Sequence, residues 1–485
     1  MLFRVLAVST ALTVVGCNYQ KTTDIPPPVP VPESYSGGSE TPIQVPAEPK
    51  SDVEQIRDAR WWRDMGDSTL SQLIEEALRR NQSVRAGWAR VSQSKFIANQ
   101  VRAARMPQVV ATGNATALKS IQAFGNVTAQ SANGSLPVSY EVDLFARRAR
   151  DHQGAKLDAV AARFDQDSLA ISISAEVAEA WFDAINARIE VAVVGEQLET
   201  DLRFLELVEL RYREGLNSAV DVHQQRQRVA SQRALLAVSE AQIDLTDQRL
   251  SVLLGEAPGR SFPLDDRTLP IIGPTPDVRA PATLLEARPD LRAARTRVEA
   301  QDRRVAAAIG ARMPQLVVDF TPSYDWLRSR ISGDEIPDQG FQSVSGFNWS
   351  GSANINAPIF DGLLGRSQIN QQRAIVQELV EQYAETIITA ISEVEGALVL
   401  ERQERLRIQY LEDEFRLATI TLEATRDRYR AGLSDFLPVL TALQTRQVAE
   451  LQLVASRRQL VSYRVQLYRA LGGAWPEEFG EPTDG

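Results

Sequence analysis

Ala104-Arg105-Met106-Pro107-Gln108-Val109-Val110 returns 207 residues later as Ala311-Arg312-Met313-Pro314-Gln315-Leu316-Val317. Val84-Arg85-Ala86 and Leu291-Arg292-Ala293 keep the same spacing. Farther on, Tyr212-Arg213-Glu214-Gly215-Leu216 returns as Tyr429-Arg430-Ala431-Gly432-Leu433, now 217 residues later, and Leu254-Gly255 matches Leu471-Gly472 at that spacing. The chain is therefore one unit written twice, over 61–265 and 283–475. The ten extra residues fall between Met313 and Tyr429, and the Gly/Ser/Pro-rich stretch 328–350 is their expected place.

Each unit has the same internal order. A helical segment (69–105, 283–312) ends at Pro107 or Pro314. A stretch with strand and turn character follows, about 107–143 and 314–360. Then come proline-free helical runs, Phe145 to Arg211 and Leu363 to Arg428, which turn at a glycine and run back as 218–254 and 435–471. A run of this length spans roughly 100 Å. Its apolar residues are sparse: Ile171, Ala175, Ala178, Trp181, Phe182 and Ile185 in the first, Ile387, Ile388, Ile391, Val394 and Leu398 in the second. That spacing predicts coiled-coil-like packing with a wide polar face. Arg outnumbers Lys 48 to 5, which fits guanidinium pairs between helices or simply a GC-rich genome.

In the strand segments, Val109, Ala111, Gly113, Ala115 and Ala117 share a face, as do Leu316, Val318, Phe320 and Pro322. Tyr324, Trp326, Phe341, Phe347 and Trp349 supply aromatics of the kind found at membrane interfaces, or ordinary cross-strand contacts of a soluble hairpin. Two strands per unit give four per chain, and four cannot close in lipid. Two chains give a barrel filled by its own side chains, whereas three give twelve strands and a lumen.

Composition excludes much else. Of 485 residues, two are histidine, His152 and His223, one is cysteine, Cys17, and four are methionine. Disulfide scaffolds, zinc clusters, iron–sulfur sites and His-based triads are excluded, and metal export gains little support. The net charge of −10 argues against nucleic acid as a partner. No apolar run reaches ~20 residues, the length of a transmembrane helix.

The N-terminus sets the compartment. Arg4 and the apolar stretch Val5 to Val15 form a signal peptide, 1–16, ending Val14-Val15-Gly16-Cys17. This resembles a bacterial lipobox, with Cys17 taking the lipid; Asn18 beside it implies sorting to the outer membrane, and three acyl chains anchor stably. The lipid-anchored segment 17–60 holds eight prolines within 24–49 and reads as an extended spacer, or as a ligand for a partner's groove.

The chain resembles the outer-membrane efflux duct family (TolC-like), and within it the NodT-type lipoproteins of tripartite exporters. The resemblance runs from Trp61 to Trp475, leaving 476–485 as a tail. It rests on Trp61-Trp62, Leu70, Leu73, Ile74, Ala77, Leu78 and Asn81, on Arg288-Pro289-Asp290-Leu291-Arg292, and on the junctions Ser139 to Phe145 and Ala357 to Gly362. It implies a mainly α protein with membrane β structure: a homotrimer forming a 12-stranded outer-membrane β-barrel continued by a 12-helix periplasmic α-barrel. It implies a passive duct for drugs or other small molecules, with no catalytic residues, no metal, and no cofactor beyond the lipid on Cys17. The partners it implies are a periplasmic adaptor (membrane fusion) protein, an inner-membrane RND-type transporter and outer-membrane lipid.

By that resemblance the turns after the long helices meet the adaptor, through Arg213, Gly215, Leu216, Arg430, Gly432 and Leu433. Asp221 and Tyr429 stand where the family joins an Asp to a Tyr in a closed-state latch, although Asp221 also suits a helix cap. Ser434 replaces the Arg that often joins this latch. Thr441 and Pro438 occupy positions of family acidic residues, so Asp221, Asp435 or Leu437 are left as gate rings, and Leu437 suits a core equally well. A structural tether without a pore is the alternative, though it leaves the aromatic strands unused. The neighbouring carboxylates Asp334 and Glu335 read as loop charge rather than an enzyme's acid–base pair. The polar helix face is expected to line water with acidic groups.

Overall fold

A computed structural model describes residues 27–32, 34–35, 60–122, 125–262, 264, 268–276, 281–332 and 340–473. Cys17, Asp334 and Glu335 lie outside them. A short 3-10 turn, Trp61–Met65, leads into α1 (Ser68–Arg80) and α2 (Gln82–Ala103). Strands β1 (Gln108–Val109), β2 (Thr112–Gln122), β3 (Gly125–Ser135) and β4 (Val138–Val142) follow, then α3 (Arg147–Arg213) and α4 (Ala219–Leu253). The second unit repeats the order with α5 (Leu284–Ala287), α6 (Pro289–Gly310), β5 (Gln315–Ser332), β6 (Gln342–Asn356), α7 (Leu364–Arg430) and α8 (Phe436–Ala470). The long helices α3 and α7 have 67 residues each, so both are about 100 Å long.

The six strand segments amount to four strands. Val109 lies opposite Val138 and Thr112 opposite Ser135, so the register passes unbroken from β1/β4 into β2/β3. Leu136-Pro137 interrupts the ladder because proline offers no N–H. β5 pairs with β3 and β4 on one side and with β6 on the other, all antiparallel. Among the described residues, no strand pairs with the outer edges of β1/β2 and of β6.

Each strand-to-helix junction is held by one carboxylate. Asp143 accepts the backbone N–H groups of Arg148 (3.1 Å) and Ala149 (2.8 Å). Asp361 accepts those of Leu363 (3.0 Å) and Gly365 (2.8 Å). The residues just before the helices, Ala146 and Leu363, are left-handed at φ 56° and 71°. A side chain there costs ~1–2 kcal/mol, which the caps and packing offset.

The long helices form one layer, ordered α4–α3–α8–α7. Toward the strands the short helices pack on it: α1 and α2 lie on α3, and α6 bridges α3 and α7. At mid-length of α3 the core joins Trp62, Leu70, Ile74, Trp181, Phe182 and Ile185. A second cluster joins Leu291, Tyr383, Ile387 and Val394. The predicted stripe of α3 is buried throughout, but Ile388 of α7 is 57% exposed, because α7 is an edge helix.

The arginines do bridge helices. Arg288 of the Arg-Pro-Asp-Leu motif binds Glu393 (2.6 Å), Asp290 (2.7 Å) and the carbonyl of Ala470 (3.0 Å), tying the start of α6 to α7 and α8. Arg188 holds Asp247 and the Phe262 carbonyl. Arg464 holds Glu401 and the carbonyls of Gly273 and Pro274. The connection between the units is thereby fastened to the helices at both ends. Part of the expected spacer is also docked: Val29, Val31 and Tyr35 pack on the second cluster.

Candidate gate and docking tip

The sheet is polar on one face and apolar on the other. Leu316, Val318, Phe320, Pro322, Tyr324 and Trp326 alternate out of β5, and Phe347 and Trp349 join them across the ladder from Tyr324 and Pro322. Phe347 and Trp349 are each 68% exposed. Ten residues separate Leu316 from Trp326, about 25 Å once strand tilt is allowed for, the height of an outer-membrane apolar band. Beyond it Arg328 lies 4.3 Å over Phe341. On the opposite face, Ser323 and Asn348 hydrogen-bond the Asp325 carboxylate at 3.0 and 2.6 Å, and Asn133 also donates to it.

At the far end, about 100 Å away along the helices, the chain reverses twice by the same device. Gly215 (φ +74°) donates to the Tyr212 carbonyl and Leu216 to that of Arg211. Gly432 (φ +73°) donates to Tyr429 and Leu433 to Arg428. Both are Schellman turns, which need a residue free to take positive φ. They present Leu216 and Leu433 at 65% and 70% exposure, with Arg213 and Arg430 exposed beside them. Val220 and Leu437, again 217 apart, are exposed one turn higher at 61% and 57%. Leu437 is therefore not core, and Thr441 lies exposed on the same helix, its hydroxyl donating to the Leu437 carbonyl at 3.0 Å.

The two hairpins are locked at Tyr429, which is 1% exposed. Its ring lies 5.7 Å from Phe436 and 4.4 Å beneath the Arg211 guanidinium. Arg211 donates to the Tyr429 carbonyl (3.3 Å) and to Asn217 Oδ1 (3.2 Å). Asn217 Nδ2 donates to Tyr429 Oη at 2.8 Å. Phe204, Val208, Val222, Val439 and Leu443 pack around this group.

The expected Asp221–Tyr429 hydrogen bond is not formed. Asp221 closes a capping box at the start of α4, accepting the Ser218 N–H at 2.9 Å while Ser218 Oγ accepts its own N–H at 3.3 Å. The carboxylate satisfies the helix end instead, at almost no entropic cost from three residues away. It still acts on Tyr429 from a distance. Burial pushes the phenol above its ordinary range, and Asp221 adds to the rise. Asp435 stands at the start of α8 without capping it. Arg211 and Asn217 escaped the sequence reading. The signal available was the divergence of Asn217 from its counterpart Ser434 inside an otherwise repeated turn.

Among the described residues, no group of acidic, histidine and cysteine side chains could hold a metal, and no helix is long and apolar enough to cross a membrane. The sequence profile of the outer membrane efflux protein family matches residues 73–256 and 280–473, most of both units. The chain belongs to that family. It is 28% identical over 443 residues to the pyoverdine export outer membrane protein OpmQ of Pseudomonas aeruginosa, covering 88% of this chain and 90% of that protein. It is 26% identical over 490 residues to the probable outer membrane lipoprotein SilC of Salmonella typhimurium, covering 98% and 99%. The solved structure of the outer membrane protein VceC from Vibrio cholerae superposes with a TM-score of 0.74 at 26% identity, over 85% of this chain and 98% of that one. This family member is an outer-membrane channel component of an efflux pump, located in the outer membrane. The family consists of transport ducts rather than enzymes.

Proposed function

We propose that three copies close into one duct, a 12-stranded barrel in the outer membrane continued by a 12-helix periplasmic tube, which passes drugs or other small molecules from an inner-membrane RND-type transporter and its adaptor to the outside. The observation that carries this is a pair of matched open edges. In the helical layer, α4 and α7 are the edge helices. Ser231, Ala234, Val238, Ala241, Leu245, Gln248 and Val252 all stand exposed on α4 at spacings of three and four. Val399, Gln403, Leu406, Tyr410, Asp413, Leu417 and Ile420 do the same on α7. These are coiled-coil seams that no described element covers.

Their levels agree. α4 climbs from the tip and α7 descends to it, so the two run antiparallel when edges of neighbouring copies meet. Val252 stands 33 residues beyond Ala219, and Val399 stands 31 before Arg430, both about 50 Å above the tip. Leu245 with Leu406, and Val238 with Tyr410, match likewise. The sheet edges β1/β2 and β6 belong to the same two units, and exposed edges are not tolerated in lipid. A head-to-tail contact repeated by rotation closes a ring, and three copies supply enough strands for a lumen.

Cys17, the N-terminal residue of the processed chain, carries the lipid. Leu216 and Leu433, flanked by Arg213 and Arg430, dock the adaptor. Leu437 and Thr441, with Asp435 above the turn, narrow the resting mouth. Native mass spectrometry of the detergent-extracted protein tests the assembly, with a trimer carrying three lipid groups expected. A lipidated monomer would refute the shared barrel. Val252→Cys paired with Val399→Cys should cross-link between copies, since the only native cysteine is Cys17.

A further inference from the structure

About 18 Å above the turn, α3, α4 and α8 meet through a layer of polar side chains rather than an apolar seam. Asp201 of α3 is fully buried at 0% exposure, and Gln225, Gln447, Gln197 and Gln232 are buried at 0–2%. Gln225 Nε2 donates to the Asp201 carbonyl at 2.7 Å. Gln447 Nε2 and Arg228 Nε each approach Asp201 Oδ2 at 3.4 Å. Gln232 donates to Gln197 Oε1 at 2.9 Å, and Gln197 donates to the Gln447 carbonyl (3.2 Å) and to Glu450 (2.9 Å). The second unit has alanine opposite Asp201, Gln225 and Gln232, at Ala418, Ala442 and Ala449, and Glu414 opposite Gln197, while Ala230 matches Gln447. The polar layer thus belongs to the first hairpin, through Gln225–Asp201 and Gln232–Gln197, and to its contact with α8, which carries Leu437 and Thr441.

Three buried atoms in this layer have no hydrogen-bond partner: the acceptors Asp201 Oδ1 and Gln225 Oε1, and the donor Arg228 Nε, which stands 3.4 Å from Asp201 Oδ2. A buried acceptor left unmet costs ~1–3 kcal/mol. Arg228 Nε serves one carboxylate oxygen only, and a hydrogen on the Asp201 carboxyl would supply the donor that the two acceptors lack. We propose that this layer is a proton-operated joint of the gate: Asp201 is a carboxylic acid while α8 is clamped to the first hairpin, its O–H donating to Gln225 Oε1, and it loses that proton to water when α8 moves away. The proposal rests on the reading of the tip as a gate.

The charged groups facing Asp201 are few. Arg228 approaches from α4, and from α8 the nearest charges, Arg446 and Glu450, pair with one another at 3.2 Å. On α3 itself, Glu199 and Arg203 form an exposed pair directed away from the layer. Burial is the leading influence and raises the carboxyl above its ordinary range, outweighing Arg228 and the amide donors. The proton is therefore held more tightly in the clamped state than after exposure to water. The clamp is favoured at low pH and weakens as pH rises through the clamped-state value, by up to about tenfold per pH unit in each copy.

The test uses the full-length lipidated protein. Spin labels at Leu202→Cys on α3 and Val448→Cys on α8, both exposed, report the joint by their separation across a pH series. Infrared difference spectra report a protonated buried carboxyl. The wild type should show that carboxyl band and a separation that widens with rising pH. Asp201→Asn, which donates permanently, should lose the band and stay at the short separation throughout. Gln225→Leu keeps Asp201 but removes its acceptor, and should widen about one pH unit earlier. An unchanged pH response in Asp201→Asn, or no carboxyl band assignable to Asp201, overturns the proposal. Neither readout requires conduction, so a protein that fails to conduct would count against the duct and leave this result standing.

Discussion

The Tyr429 lock makes a quantitative claim about the resting tip. Tyr429→Phe keeps the ring between Phe436 and Arg211 but removes the oxygen that accepts from Asn217 at 2.8 Å. The net value of such a bond is about 1 kcal/mol, roughly fivefold in the closed-to-open ratio of one copy. If three tips open together, the factors multiply to about 100-fold. Arg211→Met keeps the aliphatic stem but deletes the 4.4 Å cation–π contact and hydrogen bonds of 3.2 and 3.3 Å. That loss is about 2–3 kcal/mol per copy, larger than for Tyr429→Phe. The assay is open probability in planar bilayers, with Tyr429→Phe, Asn217→Ala and their combination forming a double-mutant cycle. Opening should rise in the order wild type, Tyr429→Phe, Arg211→Met, and the cycle should show coupling between Asn217 and Tyr429. Wild-type conductance in Tyr429→Phe would refute the lock, whereas opening in Tyr429→Phe that couples to Asp221→Asn and not to Asn217→Ala would restore Asp221 as the partner of the phenol.

Other perturbations have equally definite outcomes. Asp67 caps α1 through the N–H groups of Thr69 and Leu70 and accepts from Trp181 at 2.8 Å, so Asp67→Ala should cost about 2–4 kcal/mol, seen as a lowered melting temperature. Arg464→Met would leave the fully buried Glu401 with Arg405 (2.9 Å) and Thr275 (3.1 Å) alone and should cost about 2–3 kcal/mol in chemical denaturation, more than the double replacement Arg464→Met with Glu401→Leu. Burial would raise the Glu401 carboxyl, but hydrogen bonds from Arg464 and Arg405 outweigh it and hold it low. Its stabilisation is therefore complete at neutral pH and lost as pH falls through that depressed value, which acid unfolding of wild type against Glu401→Gln will reveal. Phe320→Arg places a charge within the apolar band of β5 and should cost about 2–4 kcal/mol of insertion, read as loss of protein from the outer membrane fraction.

The order of elements was legible because the duplication repeats it and because long proline-free runs permit little besides helix. The junction carboxylates Asp143 and Asp361 were visible as motifs, though their capping role needed geometry. The strand segments were readable from alternation, whereas the break at Leu136-Pro137 emerged only from the register. Side-chain partners were not readable in the same way. Asp221 sits three residues beyond Ser218, close enough for a capping box, and a short-range contact of that kind wins over one across the turn. Arg211 and Asn217 gave no periodic signal, since their partners lie 218 and 212 residues away. The docking of Val29, Val31 and Tyr35 was equally hidden, because prolines predict an extended backbone and say nothing about what it lies on.

The divergence between the duplicated units shows where movement is cheapest. Two identical hairpins would give every seam of the layer the same resistance. Instead Tyr429 is buried at 1% while Tyr212 is 48% exposed, and Asp201, Gln225 and Gln232 stand against alanines. The α7–α8 contact extends along α8 and the half of α7 nearer the tip, with Ala418, Ala442 and Ala449 buried. Separating apolar surface of that kind uncovers it to water at about 25 cal/mol per Å² with nothing to replace it. The α3–α8 contact near the tip is rich in amides, whose hydrogen bonds water can replace at about 1 kcal/mol each. An applied force at Leu216 and Leu433 should therefore part α8 from α3 before it parts α8 from α7. The second hairpin then moves as a unit, carrying Leu437 and Thr441 outward with it. Disulfides between α7 and α8 near the tip should leave opening intact, and disulfides between α3 and α8 at the same level should abolish it; the reverse result would place the hinge within the second hairpin.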